Sequence, residues 1–247
     1  MLSQKAIVKG LPSINQVGVC EGCVYGKQTK RSFPVEGAWR ASTPLELIHS
    51  DVCGPMNTPS CGESQYFLLF INDYTRMTWV YFLRYKLQPF QFFRKFKAQA
   101  EKESGHCIKA LCSDRGGEYL SNEFKAYCDD HGIQRQLTAP YTPEQNGVLE
   151  RKNRTITQMA CSLLKGKQLP NQYWAEAVAT TIYLVNLSSS KAVLDQTPYE
   201  AWKGVKPSIA HLKVFGCIAY ALTNSSHLKK LDEKSKKCIF VGYCTEI

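Results

Sequence analysis

Three apolar runs set closely along the first third of the chain limit what it can fold into. Leu45–Val52, Tyr66–Asp73 ("YFLLFIND") and Thr78–Arg84 ("TWVYFLR") each have the length and composition of a strand. Only "YTRM" joins the second run to the third. A parallel pair needs a crossover of about a dozen residues, so these two form an antiparallel hairpin. Then the period changes. Phe90, Phe93, Phe96 and Ala100 recur at helical spacing within 89–103, and Ile108–Ser113 reads as a strand. Ser121 caps a short helix that ends at Gly132, and Ile133–Leu137 is a further strand. A long helix runs from Thr142 to about Lys165, and Pro170 opens another with Trp174, Val178, Ile182 and Val185 on one face. The order β-β-β-α-β-α-β-α-α predicts an α/β fold, a mixed sheet covered by helices.

Beyond Thr197 come a short helical segment, "TPYEAW", and two strand-like pieces, "KVFGCIAYAL" and "KCIFVGYC", which suit part of a small barrel. Formal net charge is +10 with a pI near 9.0, which points to an anionic partner, nucleic acid before a membrane surface. The excess is uneven. Residues 1–45 carry six bases and two acids, and 203–247 carry eight lysines and three acids. The centre is therefore near neutral between basic flanks. No run approaches ~18 consecutive apolar residues, and the N-terminus lacks the apolar stretch of a signal peptide, so an intracellular chain is expected. Of eleven cysteines, Cys112, Cys128, Cys161, Cys217 and Cys238 lie in apolar segments. They are expected as small buried hydrophobes in a reducing compartment.

The acids are placed with more purpose. Asp51, in "IHSDVCGP", lies near the end of the first strand and shares a face with Leu47 and His49. Asp114, in "LCSDRGGEY", ends another strand before a Gly-Gly turn, and strand ends of α/β sheets are where sites gather. "PYTPEQNGVLERKNRT" opens the long helix. Thr142 and Gln145 form a capping box, Pro143 takes the first helical position, and Gly147 weakens the start by about 1 kcal/mol. Glu150 stands there among Arg151, Lys152 and Arg154. If the helix buries Leu149, Ile156, Ala160 and Leu163, Glu150 sits at the edge of that stripe, about 100° from Leu149, and can point toward the two strand ends. The simpler alternative is an exposed i,i+4 pair with Arg154. Three converging carboxylates in a basic protein need a cation. Mg²⁺ is a hard ion held by carboxylates and substrate phosphates, and two such ions about 3.5–4 Å apart clamp a phosphodiester. Asp73 and Glu118 lack the required positions and are expected to be structural.

"HSDVCGP", "SDRGGEYLSNEF", "PYTPEQNGVLERKNRTI", "YWAEAV", "TPYEAW", "HLKVFGCIAY" and "CIFVGYC" together resemble the integrase region of a copia-type long-terminal-repeat retrotransposon polyprotein. Thirty-five residues separate Asp114 from Glu150, as in that family. The resemblance implies an RNase H-like mixed five-stranded sheet flanked by helices, with a truncated SH3-like β-barrel at the C-terminus. It divides the chain into residues 1–43, a remnant of a zinc-binding module with a basic linker; 44–205, the catalytic core; and 206–247, the partial SH3-like segment. Asp51, Asp114 and Glu150 become ligands for two Mg²⁺ or Mn²⁺ ions. Gln145, Asn146, Lys152, Asn153 and Arg154 become candidate nucleic-acid contacts.

The implied activity is metal-dependent transfer of 3′-hydroxyl DNA ends into target DNA, with double-stranded DNA as partner, no membrane, a homo-oligomer on DNA and a nuclear site of action. The alternative is a catalytically silent fragment that only binds nucleic acid. Cys20 and Cys23 have zinc-ligand spacing, but no histidine precedes His49, so an incomplete pair and no tight zinc are expected.

Overall fold

In a computed structural model the described residues are 40–137, 147–190, 192–193, 195–223 and 233–243. Five strands form the main sheet: β1 (Leu47–Cys53), β2 (Tyr66–Asn72), β3 (Thr78–Leu83), β4 (Ala110–Ser113) and β5 (Gln134–Leu137). Their order is β3-β2-β1-β4-β5. The first three are antiparallel neighbours, whereas β4 runs parallel to β1 and β5 parallel to β4. The mixed sheet expected from the element order is the one found.

β2 is apolar without a break because helices cover both of its faces. Leu68 and Phe70 face α1 (Pro89–Ser104) and α2 (Asn122–Asp130). Phe70 stacks on Phe96 with ring centres 4.3 Å apart. Phe67 and Leu69 face the other side, toward α3 (Gly147–Gly166) and α4 (Trp174–Asn186). There Trp174 tilts against Phe67 and meets Phe82 edge-on, and its Nε1 donates to the carbonyl of Thr58. α2 starts where Ser121 Oγ accepts from the N–H of Phe124, and the chain turns out of it at Gly132, φ 64°. Thr197 Oγ1 accepts from the N–H of Glu200 and starts α5 (Pro198–Lys203) in the same way.

α3 buries Leu149, Ile156, Ala160 and Leu164, whereas sequence spacing pointed to Leu163. The chain reverses after this helix, and the N–H of Leu169 returns to the carbonyl of Leu164, so the connection covers that side. Leu163 is only part-buried against the same cluster. The cysteine expectation also needs correction. Cys112 and Cys128 are buried, but Cys217 is part-buried and Cys161 and Cys238 are exposed. Cys161 lies on the outer side of α3, and Cys238 lies on β7 (Ser235–Ile239), which no layer covers among the described residues. β7 pairs antiparallel with β6 (Ile218–Leu222) as a two-stranded sheet, and Ile218, Tyr220, Leu222 and Ile239 are exposed. Phe215, just before β6, is buried in the α3–α4 cluster. Among the described residues no helix is long and apolar enough to cross a membrane.

The end of α4 is fastened to the sheet edge by one side chain. Asn186 Oδ1 accepts from the N–H of Thr78 at 3.0 Å, and its Nδ2 donates to the Thr78 carbonyl at 2.8 Å. Both residues are buried. Asn186→Ala leaves two backbone groups unpaired away from water and should cost about 2 kcal/mol in urea denaturation. A loss under about 0.5 kcal/mol would mean that solvent replaces both bonds.

Candidate active site

β1 and β4 are parallel, and their last paired residues are Ser50 and Ser113. Asp51 and Asp114 are each the next residue along. The register therefore sets the two carboxylates on adjacent strands, about 4.8 Å apart in backbone spacing, on the face that α3 covers. Just past Asp51 the chain leaves the sheet at Gly54, whose φ is 133°; a Cβ there would lie 2.7 Å from the Gln65 carbonyl oxygen. Burial, and then the charge of Asp114, pushes the Asp51 carboxyl from 3.8 up to about 6, and the more distant Glu118 adds to this. Two hydrogen bonds oppose the rise. Asn153 Nδ2, on α3, donates to Asp51 Oδ2, and the N–H of Val52 donates to Oδ1. Asp114 Oδ1 accepts from the N–H of Gly116 and so tightens the turn after β4.

Glu150 departs from its expected direction. Its side chain is 55% exposed, and Oε1 accepts from Arg154 Nη2 at 2.8 Å. Arg154 stands one turn along the same helix and supplies an i,i+4 partner of opposite charge. Asp51 and Asp114 are thus brought together while Glu150 turns to the simpler pair. Among the described residues no three His, Cys, Asp or Glu side chains are grouped to hold a metal ion. The candidate nucleic-acid contacts divide. Arg154 is exposed, Asn153 is committed to Asp51, and Lys152 is part-buried on another side of the helix. There burial, and then the charge of Arg76, pulls the Lys152 ammonium down to about 8. Gln145, Asn146, Cys20 and Cys23 lie outside the described residues.

Asp73 and Glu118 are each held by partners of their own. Buried Asp73 accepts from the N–H of Ala41 and from His49 Nε2 at 3.1 Å, and it is ion-paired with Arg76 Nη1 at 3.0 Å. Burial alone would raise its pKa, but the bonds from His49 and Ala41 and the charge of Arg76 outweigh it and hold it low. His49 therefore turns to Asp73 and not to Asp51, although it shares a strand face with Asp51. Glu118 is 5% exposed and pairs with Lys86 at 3.4 Å. A Cβ on Gly116 would come within 2.6 Å of its carboxylate, so the Gly-Gly turn leaves room for it. Sequence reasoning passed over Ser50 and Tyr119, whose hydroxyls bond at 2.7 Å beneath the two carboxylates. Nothing local in the sequence marks that pair, because its members stand 69 positions apart.

A mixed five-stranded sheet flanked by helices in this order is the RNase H-like fold of retroviral integrase cores. Residues 41–143 match the family Integrase core domain, and 217–246 match Retroviral polymerase SH3-like domain. The relatives that align over most of the chain are retrovirus-related Pol polyproteins of plant transposons. The chain is 47% identical over 227 residues to the retrovirus-related Pol polyprotein from transposon TNT 1-94 of Nicotiana tabacum, a match covering 92% of this chain and 17% of that protein. It is 36% identical over 226 residues to the Pol polyprotein from transposon RE2 of Arabidopsis thaliana, covering 91% of this chain and 15% of that one. The chain thus spans about a sixth of the length of these relatives. Among solved structures, a chain of the simian T-cell lymphotropic virus intasome in complex with PP2A regulatory subunit B56 gamma aligns with a TM-score of 0.56 at 15% identity. That match covers 89% of this chain and 76% of the viral one, and it supports the fold.

Proposed function

We propose that this chain catalyses divalent-metal-dependent polynucleotidyl transfer, joining 3′-hydroxyl ends of element DNA to target DNA, with Asp51, Asp114 and Glu150 as the metal ligands. The observation that carries the reading is the parallel register that sets Asp51 beside Asp114. Burial and mutual repulsion make that pair costly as two free anions, and an oxygen-binding cation relieves both effects. The donor set is all carboxylate, which suits Mg²⁺ or Mn²⁺. When bound, such ions activate the attacking oxygen and stabilise the leaving one. Asn153 fixes the Asp51 carboxylate by its hydrogen bond. Glu150 leaves its pair with Arg154 to join the metal, and Arg154 is then freed to meet a phosphate. The DNA is double-stranded, and the active form is a homo-oligomer assembled on it.

A strand-transfer assay on a short duplex with Mg²⁺ or Mn²⁺ tests this. Folded protein that binds DNA but yields no joined product in either metal would favour the second reading, a silent nucleic-acid binder. The Glu150–Arg154 pair is the observation that favours that reading.

DNA binding by this chain draws mainly on phosphate contacts from the basic flanks, so log K should fall with log salt at a slope of about −0.9 per contact. A titration from about 50 to 200 mM salt measures it. A nearly flat response would rule out a phosphate-dominated interface.

A further inference from the structure

A cavity of about 410 Å³ opens between α3, the end of α4 and the end of β2, and its walls gather positive charge. Arg76, Arg151 and Lys152 line it, with Ser188, Ser189 and Ser190 across from them. A fourth cation stands close. Arg40 donates to the carbonyl of Ala192, itself a wall residue, and its charge is felt by Arg76, as is that of Arg151. Among the described residues no carboxylate lines the cavity. Asp73, which pairs with Arg76 Nη1, already accepts from Ala41 and His49 as well. Arg76 Nε is buried with no hydrogen-bond partner among the described residues. Among the described residues Lys152 Nζ has no ion-pair partner either, although the side chain is part-buried.

Such an arrangement is unfavourable if left alone. Like charges repel, and a part-buried ammonium loses hydration that no carboxylate replaces. The costs reverse when a multiply charged anion enters. The guanidinium groups of Arg76 and Arg151, the Lys152 ammonium and the hydroxyls of Ser189 and Ser190 are donors at the cavity wall, and together they match tetrahedral phosphate oxygens. The volume falls within the range of about 300–1,000 Å³ typical of small-ligand sites. Lys152 lies about 160° round α3 from Glu150, so this cavity and the carboxylate pair are reached from different sides of one helix.

We infer that the cavity lined by Arg76, Arg151, Lys152 and Ser188–Ser190 is a binding site for a phosphate-bearing ligand, separate from the carboxylate site. The shared chemistry is a phosphate group, either free or part of a nucleic-acid backbone.

Pyrophosphate is the probe, added to the full chain in EDTA so that no divalent ion at the carboxylates can hold it. Sodium chloride of matched ionic strength is the control. Pyrophosphate at about a hundred times its Kd should raise the thermal midpoint by about 5–10 °C. Lys152→Met keeps the bulk and removes the charge, and should itself raise the ligand-free midpoint. In this variant, and in the rim variant Arg151→Gln, pyrophosphate affinity should fall at least about tenfold, as for loss of one charge-assisted contact. An unchanged midpoint in the parent overturns the site. So does a response that persists undiminished in both variants, since the anion would then lie elsewhere. A labelled duplex separates the two sources. If Lys152→Met also lowers the salt slope of DNA binding by about one unit, the ligand is a backbone phosphate. If DNA binding is unchanged while the pyrophosphate response is lost, it is a free phosphate compound.

Discussion

Asp51→Asn is expected to make the metal-free protein more stable at pH 7 while removing strand transfer. The Asp51 carboxyl is pushed from 3.8 up to about 6 by burial and by Asp114. Between those values the folded chain holds a proton that the unfolded chain releases. This group therefore favours folding fully below about pH 4, and its contribution is lost as pH rises through about 6. At pH 7 the ionised group costs about 3 kcal/mol relative to a neutral one, since each tenfold change in an acidity constant is worth about 1.4 kcal/mol. Asn has no charge to desolvate, and its Oδ1 can still accept from Asn153. In EDTA the variant should melt several degrees above the parent at pH 7 and close to it at pH 4. Added Mg²⁺ should stabilise the parent and narrow the gap, because a ligand that binds only the folded state stabilises it. Equal midpoints at both pH values would mean that the two carboxylates do not strain each other.

Glu150→Gln separates activity from stability in the other direction. Glu150 is exposed, and its bond to Arg154 is an i,i+4 surface pair worth about 0.3–0.5 kcal/mol. Denaturation should therefore be nearly unchanged. Strand transfer should fall about 10³-fold or more, since loss of a charged ligand forfeits about 4 kcal/mol of transition-state stabilisation. Arg154→Gln is the companion. It frees Glu150, so it should leave transfer far closer to the parent than Glu150→Gln does. Glu150→Gln with parental transfer in Mg²⁺ would reduce Glu150 to a helix-surface residue and remove it from the mechanism.

The amino-acid sequence by itself determined the order and type of the elements. Period and length are local properties. "YFLLFIND" must be covered on both faces, Phe93, Phe96 and Ala100 repeat with a helical step, and Ser121 and Thr197 carry their own capping oxygens. It also put Asp51 and Asp114 at strand ends, because the apolar runs stop there. Tertiary structure alone decided what those side chains meet. The pairing of Ser50 with Ser113 makes neighbours of acids sixty-three positions apart, and no local pattern encodes a parallel register. His49 shares a face with Asp51 yet bonds Asp73, because β2 brings Asp73 to it across the sheet. Around α3 the same rule holds. Spacing placed Leu163, Glu150 and Lys152 to within about one residue's rotation. The fold then covered Leu164 with the returning chain, sent Glu150 to Arg154 and turned Lys152 toward Arg76. A helix surface is continuous, and 100° is enough to exchange a partner; which partner wins depends on charges brought in by other elements.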